Sequence, residues 1–336
     1  MSVKEIQVGS AKAAPGRIGQ GYLKVGELAM NAELRVPVMI VNGRQDGPVL
    51  WLNGAVHGDE LNAFMAIRNV CGAVATDDLA GALVCTPVCN PLAVQWRNKI
   101  NPYDFLDLDQ QFPGKADGQY SQRTAYALFK EMQEVADYLI SFHTVGTSFA
   151  AEPYSVYKFA PGLSPQMCES IEAMALAFGV RLNCRVDLSS AVGEVPGGVG
   201  GALDVNCSRA GIPAFMAEVG SGGRFQPEAI AIAEAGIRHV MAHLGMAAPV
   251  TAEKADQMIV TKRGFLYSDY AGFFEGKVQP GEKASKNAVI GNVVDLFADI
   301  GVIRAPSDAY ILMSRQEPVL HVGDRVAFLG LEWIAA

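Results

Sequence analysis

The chain reads as an α/β protein: a mixed, mostly parallel sheet flanked by helices, followed by a small all-β region at the C-terminal end. Three observations carry this reading. Short apolar runs bounded by Gly or Pro alternate with amphipathic stretches from about residue 35 to residue 245, the pattern of strands joined by crossover helices. The apolar runs are continuous rather than alternating, as expected of strands covered on both faces. Beyond Ala248 the helical period disappears, and Val/Ile-rich runs are punctuated by Gln279-Pro280-Gly281, Ile290-Gly291-Asn292 and Val322-Gly323-Asp324.

In chain order, strands are expected over residues 35–41, 48–53, 82–88, 137–143, 153–159, 180–187 and 213–219. Helices are expected over 60–73, where Phe64, Ile67 and Cys71 share a face, and over 122–136, where Ala125, Leu128, Phe129 and Met132 recur. Two more are expected over 164–178 and 227–244, the last with Ile230, Ala233, Ile237, Val240, Met241 and Leu244 at helical spacing. Ala247-Ala248-Pro249 marks the expected boundary, giving a domain over 1–248 and a β-rich domain over 249–336.

Composition narrows the function. Half of the 336 residues are apolar and 18% are charged, so material for a core is ample. Lys and Arg number 27 against 35 Asp and Glu, with no basic run of the kind that tracks phosphates, which argues against a nucleic-acid partner. No apolar stretch is long enough to cross a bilayer, and residues 1–7 lack a secretory pattern. The six cysteines are scattered without a C-x-x-C pair, which suits a reducing compartment. A cytoplasmic protein is expected, with homo-oligomerisation left open.

Chemistry concentrates at strand ends, where sites form in open α/β sheets. The run Val49-Leu50-Trp51-Leu52-Asn53-Gly54 leads into His57-Gly58-Asp59-Glu60, and Tyr138-Leu139-Ile140-Ser141-Phe142 ends at His143. His57, Glu60 and His143 are candidate ligands for one metal ion. Two histidines and a carboxylate leave a coordination position open, as in hydrolytic zinc sites. Glu218 follows the run Ala214-Phe215-Met216-Ala217 and is a candidate general base. Arg97, in the loop after the third strand, is a candidate for holding a carbonyl oxygen as it gains charge. Each of these last two has an alternative reading as a surface ion-pair residue.

The order of the motifs is more telling than any one of them. H-G-D-E at 57–60, N-P-x-A at 90–93 with Arg97 after it, D-L-x-x-x-F-P-G at 107–114, F-H at 142–143 and E-x-G at 218–220 follow in sequence. This order resembles the succinylglutamate desuccinylase/aspartoacylase family, a branch of the zinc carboxypeptidase superfamily, over about residues 35–248. The β-rich tail resembles that family's small C-terminal domain. The resemblance implies a zinc-carboxypeptidase-like fold and one Zn²⁺ held by His57, Glu60 and His143. It also implies Glu218 as general base and Arg97 beside the oxyanion, in a reaction that hydrolyses the amide of a small N-acyl compound.

One departure concerns the substrate. Where the family reads D-L-N-R, this chain has Asp107-Leu108-Asp109-Gln110. Gln110 cannot form the bidentate, charge-assisted pair that arginine makes with a carboxylate, and Asp109 adds negative charge. The recognition residues are therefore expected to be Asp109 and Gln110, with Arg224 as a substitute cation, and substrates neutral or cationic at that end are favoured. Two further readings are a carboxypeptidase, with Arg224 or Arg123 gripping the carboxylate, and a metal-binding structural or regulatory protein without catalysis. His239 and His243, four apart on one helix, read as structural, and His321 as a surface turn residue. The glycine-rich stretch 193–201 reads as a loop over the site.

Overall fold

The computed structural model describes residues 4–191, 199–249 and 256–336. Among these, thirteen strands form one mixed sheet. Its central order runs Leu182–Asp187, Tyr154–Phe159, Ala214–Glu218, Tyr138–His143, Gln45–Asn53, Ala80–Thr86, Glu33–Asn42 and Arg17–Glu27. Every strand expected from the apolar runs is present, with ends moved by up to about three residues. The expected helices appear as Asn62–Ala73, Tyr120–Val135, Pro165–Ala177 and Pro227–His243.

Both faces of this sheet are covered. In the strand Gln45–Asn53, Leu50 and Leu52 pack into one hydrophobic cluster while Trp51 packs into another. Ile140 and Leu139 divide in the same way. Asn62–Ala73, Pro165–Ala177 and Pro227–His243 pack on the first side through Ile67, Val70, Met174, Ile237 and Val240. Tyr120–Val135 packs on the second through Leu128 and Met132. A Cβ on Gly236 would overlap the Phe178 ring, so glycine sets how closely that helix approaches.

Several elements escape the sequence pattern, the three-residue strands Ile6–Val8, Ala11–Ala13 and Phe149–Ala151 among them. Arg17–Glu27 is an eleven-residue strand with a largely exposed face and three glycines, which hides its apolar alternation. Pro91–Trp96 and Leu203–Arg209 are helices too short to show a period.

The residues after Met258 are all strand and turn, as expected, but they are not set apart from the main sheet. Met258–Tyr267 pairs parallel with Leu182–Asp187 at Leu182, Asn183 and Cys184. Arg325–Ala335, Ala309–Arg315 and Lys283–Ala284 continue outward from it, antiparallel. The other four C-terminal strands form a separate antiparallel sheet. Phe274, Ile290, Val293, Ile311, Val326 and Leu329 fill the space between the two sheets.

Candidate active site

The turn after Gln45–Asn53 carries His57. Ala55 takes a φ of 49°, and the turn is pinned where Cys89 N–H donates to the Gly54 carbonyl at 3.0 Å and Asn90 Nδ2 donates to that of Val56 at 2.9 Å. Gly58 lies against the Ala93 and Val94 backbone, where any Cβ would overlap the Ala93 carbonyl. The short helix Pro91–Trp96 therefore holds the His57 turn in place, capped by Asn90, whose side chain accepts from Ala93 N–H.

His57, Glu60 and His143 meet, all buried. Glu60 Oε1 lies 2.9 Å from His57 Nδ1, and its Oε2 lies 3.1 Å from His143 Nδ1 while accepting from Thr144 N–H at 3.0 Å. The two Nδ1 atoms are 3.3 Å apart. His57 Nε2 is engaged by Asp107 Oδ1 at 3.0 Å, which leaves Nδ1 facing the cluster, the carboxylate–histidine arrangement that orients metal ligands.

The electrostatics favour a cation at this point. Burial opposes charging of His57, yet the Glu60 charge and the hydrogen bonds to Asp107 and Glu60 raise its pKa to about 10. His143 is raised too, against burial, by its bond to Glu60. Glu60 is held well below the usual carboxylate range, again against burial, by the two histidines. Two imidazole nitrogens this close repel when both are protonated, and a divalent ion in their place removes that repulsion. The donor set and its geometry fit a metal.

Glu218 completes the cluster. Its strand pairs with Tyr138–His143 so that Glu218 stands directly beside His143 in register. Burial pushes its carboxyl up to about 7, with the Glu60 charge adding and His143 opposing. Its Oε2 has no hydrogen-bond partner among the described residues. A buried acceptor left unpaired next to a metal-ligand cluster is poised for a water.

These four residues line one cavity of about 310 Å³ together with Lys99, Asp107, Asp109 and Gln110. Asp109 accepts from Leu203 N–H at 3.2 Å, and burial raises its pKa. Arg97 is not among the lining residues. It is the left-handed cap of Pro91–Trp96, with a φ of 54°, and is exposed. Lys99, two residues on, lines the cavity instead, its Nζ 3.2 Å from Asp107 Oδ2. Arg224 is likewise exposed and outside the lining. The cations that do line the cavity are Lys99, Lys158, Arg263 and Arg325.

Lys158 forms a buried pair with Asp204 at 2.7 Å. Its one sequence signal was a lysine inside the apolar run Tyr154-Ser155-Val156-Tyr157-Lys158-Phe159. Asp107 lay within a recognised motif, but its contact with His57 depends on a loop closing back over fifty residues. Arg263 and Arg325 had no local signal, since both belong to the C-terminal strands.

Elsewhere, His239 Nδ1 lies 3.4 Å from the Phe178 carbonyl, a structural contact. His321 is exposed in a turn, 3.5 Å from Asp324. Of the stretch 193–201, residues 193–198 lie outside the described residues, and Val199–Gly201 is a 3₁₀ turn.

Fold and site together define an α/β scaffold with a buried cluster that could hold a metal ion at its strand ends, and comparison gives its family. The model of the Succinylglutamate desuccinylase/Aspartoacylase catalytic domain matches residues 46–244, more than half of the chain. The protein belongs to that family. It is 24% identical over 327 residues to the N-alpha-acetyl-L-2,4-diaminobutyric acid deacetylase of Halomonas elongata, covering 93% of this chain and 91% of the relative. The solved succinylglutamate desuccinylase/aspartoacylase of Rhodobacter sphaeroides superposes with a TM-score of 0.81 at 24% identity, over 95% of this chain and 96% of that one. The product-bound ectoine utilization protein EutE of Ruegeria pomeroyi gives 0.84 at 22% identity, over 97% and 100%. These structures share the fold. Among the described residues no helix is long and apolar enough to cross a membrane.

Proposed function

We propose that the protein is a zinc-dependent deacylase that hydrolyses the amide bond of a small N-acyl compound. The observation that carries this reading is Glu218: buried, in register beside His143, with one carboxylate oxygen unpartnered. His57, Glu60 and His143 would hold one Zn²⁺ per chain. When bound, the ion supplies Lewis acidity and lowers the pKa of a water toward about 7. Glu218 takes a proton from the attacking water and returns it to the leaving nitrogen. Asp107 fixes the His57 ring through Nε2 and holds Lys99 at the cavity edge. Lys99, rather than Arg97, supplies positive charge for the carbonyl oxygen.

Asp109 and Gln110 form the recognition end. A substrate carboxylate there would face Asp109 without a bidentate partner, whereas an amine would be welcome. The Halomonas relative's name specifies a substrate with a second amino group, which supports this assignment. The arginines expected to grip a carboxylate in the carboxypeptidase reading, Arg123 and Arg224, do not line the cavity. We assign catalysis to residues 1–248 and treat 249–336 as a domain that walls the site, and we place the protein in the cytoplasm because its six cysteines form no disulfide.

The test is elemental analysis with turnover of N-α-acetyl-2,4-diaminobutyrate. Stoichiometric zinc with acetate release supports the assignment. A zinc-free protein, or zinc with no hydrolysis of any N-acyl amine, refutes it.

A further inference from the structure

Beside the catalytic groups, the cavity has an apolar lining of Phe149, Tyr154, Val156, Phe265, Met313 and Phe328, in which Tyr154 is the cross-strand partner of Glu218. Half of these come from the C-terminal strands that extend the main sheet. The pairing explains why they stand together. Met313 is the cross-strand partner of Phe328, and Phe328 is the partner of Phe265. Partners directly opposite share a face of a sheet, so the three side chains form a row across three adjacent strands.

The row is rigid. The Phe265 and Phe328 rings stack at 4.4 Å with 22° between their planes, and the Arg325 guanidinium lies 4.3 Å from the Phe265 ring centre. Met313 and Phe328 also belong to a hydrophobic cluster with Leu182, Cys184, Val260 and Leu312. The neighbouring residues Ile311, Val326 and Leu329 pack against the second sheet, whereas this row lines the cavity. Water against such a surface is released when an apolar group replaces it.

We infer that this wall is a second, apolar pole of the active site, which seats a group of aromatic size carried by the amide substrate. The inference rests on the deacylase reading of the same cavity. Its volume of about 310 Å³ is at the lower end of ligand pockets. At about 30 Å³ per water it has room for about ten, well beyond an acetyl group and one reacting water. The polar pole takes the scissile amide and any amine, and the apolar pole takes the remainder. Whether that remainder lies on the acyl or the amine side is distinguished by substrate pairs.

The experiment measures kcat/KM for N-acetylglycine, N-phenylacetylglycine and N-acetylphenylalanine on the protein as purified and on Phe328→Ala and Phe265→Ala. Thermal unfolding checks that the variants fold, and Phe328→Leu serves as the milder replacement. Titration calorimetry with acetate against phenylacetate, and glycine against phenylalanine, gives a readout independent of turnover. The expected result is a preference of about tenfold or more for one phenyl-bearing substrate, in line with burial of an aromatic side chain. That preference is lost in Phe328→Ala and partly kept in Phe328→Leu. Hydrolysis of all three amides without a phenyl preference, or with one that survives both alanine variants, overturns the apolar pole and leaves the deacylase reading standing. If no amide is hydrolysed, N-α-acetyl-2,4-diaminobutyrate included, but a Phe328-dependent phenyl preference appears in calorimetry, the pole stands and the deacylase reading falls. Equal affinities within both calorimetric pairs overturn the pole.

Discussion

Glu218→Gln should divide stability from catalysis. The Glu218 carboxyl ordinarily titrates near 4.5, and burial raises it to about 7 in the folded chain. A carboxyl raised on folding holds its proton longer in the native state. The stability it contributes is complete below pH 4.5 and is lost as pH rises through about 7. At about 1.4 kcal/mol per pH unit, that interval corresponds to a loss of about 3 kcal/mol above pH 7. Gln keeps the shape and stays neutral, so it escapes the loss. For a chain of 336 residues, about 2 cal/mol/K per residue makes this a gain of roughly 4–5 °C in Tm at pH 8. Turnover should fall by about 10²–10⁴-fold, the usual contribution of a general acid–base group. The assay is thermal unfolding of chelator-treated wild type and variant between pH 4.5 and 8, with kcat measured on the zinc-loaded proteins. A variant whose Tm follows the same pH course as wild type would refute the buried-carboxylate argument. Turnover within a few-fold of wild type would show that another group activates the water.

Four other outcomes are expected. His143→Ala should lose stoichiometric zinc by elemental analysis, because it removes one of three donors around the same point; full zinc retention would exclude His143 as a ligand. Asp204→Asn should destabilise by about 3–5 kcal/mol in urea unfolding, because Lys158 is then left buried without its counter-charge, and replacing both partners by apolar residues should recover most of that. Gly58→Ala should lower both Tm and activity, since its Cβ would overlap the Ala93 carbonyl behind the His57 turn. Asp109→Asn should narrow the kcat/KM advantage of N-α-acetyl-2,4-diaminobutyrate over N-acetylaspartate by about one to two decades; no such advantage in wild type would overturn the recognition end as assigned.

Much of the molecule could be read from the linear chain, because local physics decided it. Continuous apolar runs of strand length such as 137–143 suit strands covered on both faces, and the period of 227–244 suits a helix with one covered face. The strand-end positions of His57, His143 and Glu218 follow from those runs, so the ligand cluster and its neighbouring carboxylate were visible without coordinates. Tertiary structure decided what depends on long-range closure. Arg97 and Lys99 are chemically similar and two residues apart. Only the left-handed cap at Arg97 and the return of the loop to Asp107 put Lys99, and not Arg97, on the cavity. The C-terminal strands looked self-contained, since their turns and alternation are local. Their junction with the main sheet is three residue pairs at Leu182–Cys184, about seventy-five positions apart, and three more between Phe149–Ala151 and Met313–Arg315, about 160 apart, and no pattern along the chain encodes it. That junction brings Phe265, Met313, Arg325 and Phe328 to the site. The sequence by itself thus brought out His57, Glu60, His143 and Glu218 as candidates, and the pairing of distant strands determined what else lines their cavity.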